Sequence, residues 1–115
     1  YAKKLFDYAQ TFECWNNNDL VGLLAVYCND TTYSSSFISN LSVISSHYKQ
    51  NIASQLLENC IEYTRTQGFD SINLEVHTGN IAALSLYTKF GFSQFLHQNN
   101  DEEPYYIQMK KNLNS

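Results

Sequence analysis

The sequence has 115 residues, 43% of them hydrophobic, with a formal net charge of −4 and a pI near 5.1. That length suits one domain around one core, and the acidity argues against a nucleic-acid partner, as do aromatic residues that are not interleaved with Lys or Arg. No run approaches the roughly 20 apolar residues that cross a bilayer, and the start, YAKKLFDYAQ, carries no apolar signal core, so neither membrane insertion nor export is expected.

Cys14, Cys28 and Cys60 are far apart, form no C-x-x-C pair and have no His at metal-ligand spacing. A reduced, cytoplasmic protein without a metal site is the expectation. Residue 1 is Tyr rather than Met, so upstream sequence is expected to be missing.

In chain order, Leu5, Tyr8, Ala9 and Phe12 fall at helical spacing, which predicts the end of an amphipathic helix over residues 1–10. The runs FECW and LVGLLAVYC, separated by the polar cluster Asn16 to Asp19, predict a hairpin of two antiparallel strands. After the loop NDTTYSSS, the alternation of Phe37, Ser39, Leu41 and Val43 with Ile38, Asn40, Ser42 and Ile44 predicts a third strand. From Ile52, the stripe Ile52, Leu56, Leu57, Cys60 and Ile61 predicts a helix that Gly68 closes.

SINLEVH then reads as a strand with Ile72, Leu74 and Val76 on one face and Asn73, Glu75 and His77 on the other. Gly79 and Asn80 open a second helix, with Asn80 as a candidate N-cap, and Gly91 ends it. FSQFLH and YYIQMKK, flanking QNNDEEP, predict a final antiparallel pair. Strand, helix, strand across residues 37–76 implies a right-handed crossover and one parallel pair, within an α/β fold whose sheet is otherwise mostly antiparallel.

The turn between the third strand and the first predicted helix directs the helix's first free N–H groups toward the strand's C-terminal edge, where anions bind. Asn51 stands where glycine would be expected; Asn tolerates positive φ better than other side chains, and Lys49 adds a cation.

The run LSVISSHYKQNIASQLL resembles the acetyl-coenzyme A motif of the GNAT superfamily of N-acetyltransferases, V-x-P-x-x-(Q/R)-x-x-G-x-(G/A) followed by a helix. Val43 and Ala53 match, whereas Ser45, Tyr48 and Asn51 replace the proline, the Gln or Arg, and the first glycine. LEVHTGNIAALSLYTKFGF resembles a second family signature, L-E-V-x-x-x-N-x-x-A-x-x-x-Y-x-x-x-G-F, through Leu74, Glu75, Val76, Asn80, Ala83, Tyr87, Gly91 and Phe92. The likeness spans residues 12–110. It implies a GNAT-like mixed sheet with a central splayed parallel pair and helices on both faces, in a single domain over 1–115 that lacks the family's first strand and first helix.

The same resemblance implies that Leu41, Ser42 and Val43 meet the pantetheine arm of acetyl-CoA, and that Lys49, Gln50, Asn51, Ile52, Ala53 and Ser54 hold its pyrophosphate. Asn80 would touch the cofactor arm, and Tyr87 would protonate the departing thiolate. In members similar to the ribosomal-protein alanine acetyltransferases a glutamate twelve residues before that tyrosine is the base, and Glu75 has that spacing. An amine is mostly an ammonium near neutral pH, so a carboxylate that takes its proton raises the reactive fraction.

Without the resemblance, Glu75 would read as a surface carboxylate, Tyr87 as a core residue and Asn80 as a helix cap. His77 is a secondary base candidate, His47 and His97 read as surface residues, and Cys14 or Cys28 as a nucleophile lacks a His partner at a telling position. The expected activity is direct acetyl transfer from acetyl-CoA to a small-molecule or peptide amine, with a homodimer compatible. The alternative is a coenzyme A-binding or protein-interaction module of the same fold that has lost catalysis.

Overall fold

The computed structural model describes residues 9–28, 35–44, 51–94 and 105–113. Strands β1 (Ala9–Asn16), β2 (Asp19–Tyr27) and β3 (Ser35–Val43) form an antiparallel meander. Helix α1 (Ile52–Thr66) leads to β4 (Ser71–His77), and helix α2 (Ile81–Lys89) leads to β5 (Ser93–Gln94) and β6 (Tyr106–Asn112). The six-stranded sheet runs in the order β1-β2-β3-β4-β6-β5, with β3 and β4 parallel and the other neighbours antiparallel. The mixed sheet, its single parallel step and the two helices expected from the sequence are all present.

One expectation fails at its edge. Residues 1–8 lie outside the described residues, but Ala9 and Gln10, expected to end a helix over residues 1–10, belong to β1 together with FECW. From Gln10 to Trp15 the chain alternates half-buried and exposed residues, a period of two. Pairing with β2 satisfies its backbone groups across the hairpin and overrides the helical spacing of a few apolar residues. The hairpin turn uses Asn17 at φ 59°, a conformation Asn reaches more readily than most side chains. β3 begins two residues before the expected Phe37, and the first strand of the last expected pair is described only at Ser93–Gln94, since 95–97 lie outside the described residues, while its partner is β6.

Both helices close in the same way. After α1, Gly68 sits at φ 89°, its N–H bonds to the Arg65 carbonyl at 3.0 Å, and the Phe69 N–H bonds to the Thr64 carbonyl at 3.3 Å. After α2, Gly91 sits at φ 96°, its N–H bonds to the Thr88 carbonyl at 3.0 Å, and the Phe92 N–H bonds to the Tyr87 carbonyl at 2.9 Å. This is the paired-bond stop that needs a left-handed residue, hence glycine, just past the helix. In the second case it also presses the Phe92 ring against Tyr87, centroids 5.6 Å apart.

The core lies between the helices and one face of the sheet. Leu24, Val26, Ile38, Ile72, Leu74, Val76 and Met109 from the strands meet Leu56, Leu57, Cys60 and Ile61 of α1 and Tyr87 of α2. Gly22 lets α1 approach β2, because a Cβ there would stand 2.7 Å from Ile52 and 3.0 Å from Leu56. The opposite face presents Glu13, Trp15, Phe37, Glu75, His77 and Tyr106 in the open, and the helix expected on that side is not among the described residues.

Candidate active site in the fork between the parallel strands

β3 and β4 are paired only from Ser35–Ser71 to Ile38–Leu74. Beyond that point β3 continues to Val43 and β4 to His77 as a fork. β2 explains the divergence in part: its register with β3 shifts between Ala25 and Val26, which leaves Ser39 as an extra residue in β3, and a bulge bends the strand that carries it. The Ile44 N–H donates to the Val21 carbonyl at 2.9 Å and Ser42 pairs with Leu23, so alternate residues of this segment face β2. The main-chain groups of Leu41 and Val43 therefore face the fork, where an extended ligand can take them as a strand would.

A cavity of about 440 Å³ opens on the helix side of the fork, lined by Leu41, Ser42, Val43, Asn51, Ala53, Ser54, Ala82, Ala83, Leu86 and Tyr87. Apart from Asn51 and Tyr87 its lining residues are aliphatic or small, and one end is the N-terminus of α1. There Asn51 adopts φ 59° and ψ 28°, its side chain makes no capping hydrogen bond, and the first turn holds no acidic residue. The first helical bond is the Gln55 N–H to the Asn51 carbonyl at 3.1 Å, so the N–H groups of Ile52, Ala53 and Ser54 have no partner within the helix. A long flexible chain ending in phosphates suits this shape: a narrow apolar channel, a free strand edge, and amides at the positive end of a helix dipole.

A second cavity, about 200 Å³, fills the fork itself. Ile38, Leu74, Val76, Ala83 and Tyr87 line it from the helix side, and Ser39, Glu75 and His77 from the open side. Leu41, Ala83 and Tyr87 line both cavities. Tyr87 is buried, and burial first, then the nearby Cys60, pushes its phenol up to about 12. It is therefore protonated throughout the physiological range. Glu75 is exposed on the other side, where its Oε2 accepts a hydrogen bond from Gln108 Nε2 at 2.9 Å.

Of the residues singled out in the sequence, Leu41, Ser42, Val43, Asn51, Ala53, Ser54 and Tyr87 line the first cavity, and Glu75 and Asn80 join Tyr87 at the second. Asn80 caps α2 by accepting the Ala83 N–H at 3.1 Å. Ile52 turns its side chain into the core and is not among the residues that line either cavity. Lys49 and Gln50 lie outside the described residues. Gln108, Ala82 and Leu86 were missed: nothing local in sequence distinguishes a glutamine on β6 opposite Glu75, a neighbour that only the strand register supplies. The Cys28 and Cys60 thiols are raised by burial, Cys60 to about 12, which makes them poor nucleophiles.

Residues 2–92 match the family model described as "Acetyltransferase (GNAT) family". The chain is 31% identical over 85 residues to the uncharacterized N-acetyltransferase YsnE of Bacillus subtilis (strain 168), covering 70% of this chain and 54% of that protein, so it spans about half the relative's length. Its fold is similar to the ribosomal-protein-S18-alanine N-acetyltransferase of Escherichia coli, with a TM-score of 0.81 at 20% identity over 99% of this chain and 75% of the other. It is similar also to a GNAT family acetyltransferase from Elizabethkingia anophelis with acetyl-CoA bound, with a TM-score of 0.78 at 19% identity over 97% and 81%. A forked parallel pair, a helix N-terminus with free amides and a family match over most of the length lead to one conclusion: the chain belongs to the GNAT acetyltransferase family.

Proposed function

We propose that this protein is an N-acetyltransferase that moves an acetyl group from acetyl-CoA directly to a primary amine while both are bound. The observation that carries the reading is the fork: a phenol kept protonated on one side and a carboxylate on the other share a single cavity between the strands. Acetyl-CoA, when bound, supplies a thioester carbonyl to the amine.

The free main-chain edge of Leu41 and Val43 holds the extended arm of that molecule, and the amides of Ile52, Ala53 and Ser54 hold its phosphates. Lys49 and Gln50 directly precede Asn51 in sequence, and we assign them to the same phosphate-holding segment. Asn80 fixes the start of α2 and, through it, Ala83 and Tyr87. Glu75, steadied by Gln108, takes a proton from the ammonium directly or through a water, leaving the lone pair free to attack. A Val43 N–H facing the fork stabilises negative charge developing on the carbonyl oxygen. Tyr87 donates its proton to the departing sulfur, and its fixed place against Phe92 keeps the hydroxyl aimed. Holding both reactants on one sheet supplies much of the remaining acceleration.

The test is acetyl transfer to a panel of amines, with coenzyme A release as the readout and thermal stabilisation by acetyl-CoA alongside. Tyr87→Phe preserves the ring against Phe92 and removes the proton, so kcat falls by roughly 100-fold or more while affinity for acetyl-CoA changes little. Unchanged kcat in that variant removes Tyr87 from the acid role. Stabilisation by acetyl-CoA with no amine acetylated establishes instead the coenzyme A-binding module without catalysis.

A further inference from the structure

On the open side of the fork the carboxylate has aromatic company. His77, two residues beyond Glu75 on β4, stacks on Tyr105, centroids 6.2 Å apart with planes 6° from parallel, and meets Tyr106 edge-on at 5.3 Å. The cluster is fixed from below. His77 Nδ1 accepts the Gly79 N–H at 2.9 Å, so the ring's proton sits on Nε2. A Cβ at Gly79 would stand 3.2 Å from that ring, and the Thr78 N–H holds the Tyr105 carbonyl at 2.7 Å. Tyr105 is nevertheless 65% and Tyr106 46% exposed.

Rings this firmly seated and this open are a surface for another ring. Residues two apart on one face of a strand stand about 7 Å apart, so an amine joined to an aromatic ring by a short linker can place its ammonium at Glu75 and its ring on the cluster. Negative charge and ring faces both attract the cation, and aromatic pairing holds the body. Glu75 is the single acidic residue among the described lining of this cavity, and it marks where the ammonium of such an amine is held.

Resting on the proposed acetyl transfer, we infer that the acceptor is an arylalkylamine, a primary amine carried on an aromatic ring, seated on His77, Tyr105 and Tyr106 with its ammonium at Glu75. The experiment compares 2-phenylethylamine, butylamine and spermidine as acceptors, and measures calorimetrically the binding of the first two to the chain loaded with coenzyme A. We expect 2-phenylethylamine to lead in kcat/KM and in affinity by roughly tenfold, the upper scale of one aromatic pair, since the ammonium is common to all three.

Tyr105→Ala and His77→Ala shrink that preference to about threefold or less, while Tyr105→Phe keeps it. Equal or better use of butylamine or spermidine, or a preference that survives both alanine variants, overturns the inference and leaves acetyl transfer standing. If no amine is acetylated, acetyl transfer falls and the binding comparison alone decides: ring-dependent binding that the alanine variants abolish upholds the subsite, and its absence refutes it.

Discussion

At Asn51 the backbone holds φ 59° and ψ 28°, the region where glycine is usually required, and it does so at the entrance to the cleft. An L side chain pays roughly 1–2 kcal/mol to sit there, least for Asn. What the anion meets is main chain, so side-chain identity matters chiefly through the conformation it permits. Asn51→Gly is therefore expected to bind acetyl-CoA as well as the parent or better. Asn51→Val, β-branched and resistant to positive φ, is expected to weaken binding by about tenfold in a calorimetric titration. Three equal affinities would show that the amides of this turn do not cradle the phosphates.

Among the elements, α1 is placed by a missing side chain. Gly22 on β2 lies directly beneath Ile52 and Leu56, and Ile52 begins the helix whose free amides face the cavity. Packing on the core face is thereby tied to the geometry of the cleft. Gly22→Val forces the helix off the strand or its side chains out of their rotamers, an overpacking cost of about 1–3 kcal/mol. Urea denaturation should show that loss, accompanied by weaker acetyl-CoA binding as the N-terminus of α1 shifts. A stable variant with parental affinity would mean that α1 does not lean on Gly22. The glycines that end α1 and α2 act differently, through positive φ, and the second also sets the Tyr87 ring against Phe92.

Across the whole molecule, the buried ionisable groups gather in one place. Cys60 and Tyr87 are each pushed up to about 12, mainly by burial, and Cys28 is raised for the same reason. Thr64 accepts or donates at Cys60 Sγ across 3.9 Å and bonds the Cys60 carbonyl at 2.6 Å, so this polar pair sits inside the core with its needs met locally. Raised pKa values mean that the folded chain keeps protons the unfolded chain releases. Stability should be flat below about pH 9, then fall toward pH 12 by about 1.4 kcal/mol per unit for each group still protonated only when folded. Urea midpoints across that range test this. The slope should be shallower in Tyr87→Phe and in Cys60→Ala, and a slope equal to the parent's in both variants would mean that these groups are not buried in the folded state.

The elements with strong periods were legible in the sequence. The stripe from Ile52 to Ile61, the alternation of Ser71–His77 and the glycines at 68 and 91 each encode a local rule, and each element lies where that rule puts it. Ala9 and Gln10 were misread because the few apolar residues around them satisfy two periods at once, and pairing with β2 across the hairpin decides between them. The candidate site divides in the same way. Tyr87, Asn80, Asn51 and Glu75 carry a recognisable spacing along the chain, whereas Gln108 beside Glu75 and the rings of Tyr105 and Tyr106 around His77 are set by cross-strand register. By itself the sequence determined the strongly periodic strands and helices and which family pattern they follow, because those are properties of neighbours in the chain. The family pattern implied that the parallel pair splays, but only the tertiary structure decided that β3 and β4 part after Ile38 and Leu74 and that Gln108 stands beside Glu75, because that depends on contacts between residues far apart in sequence.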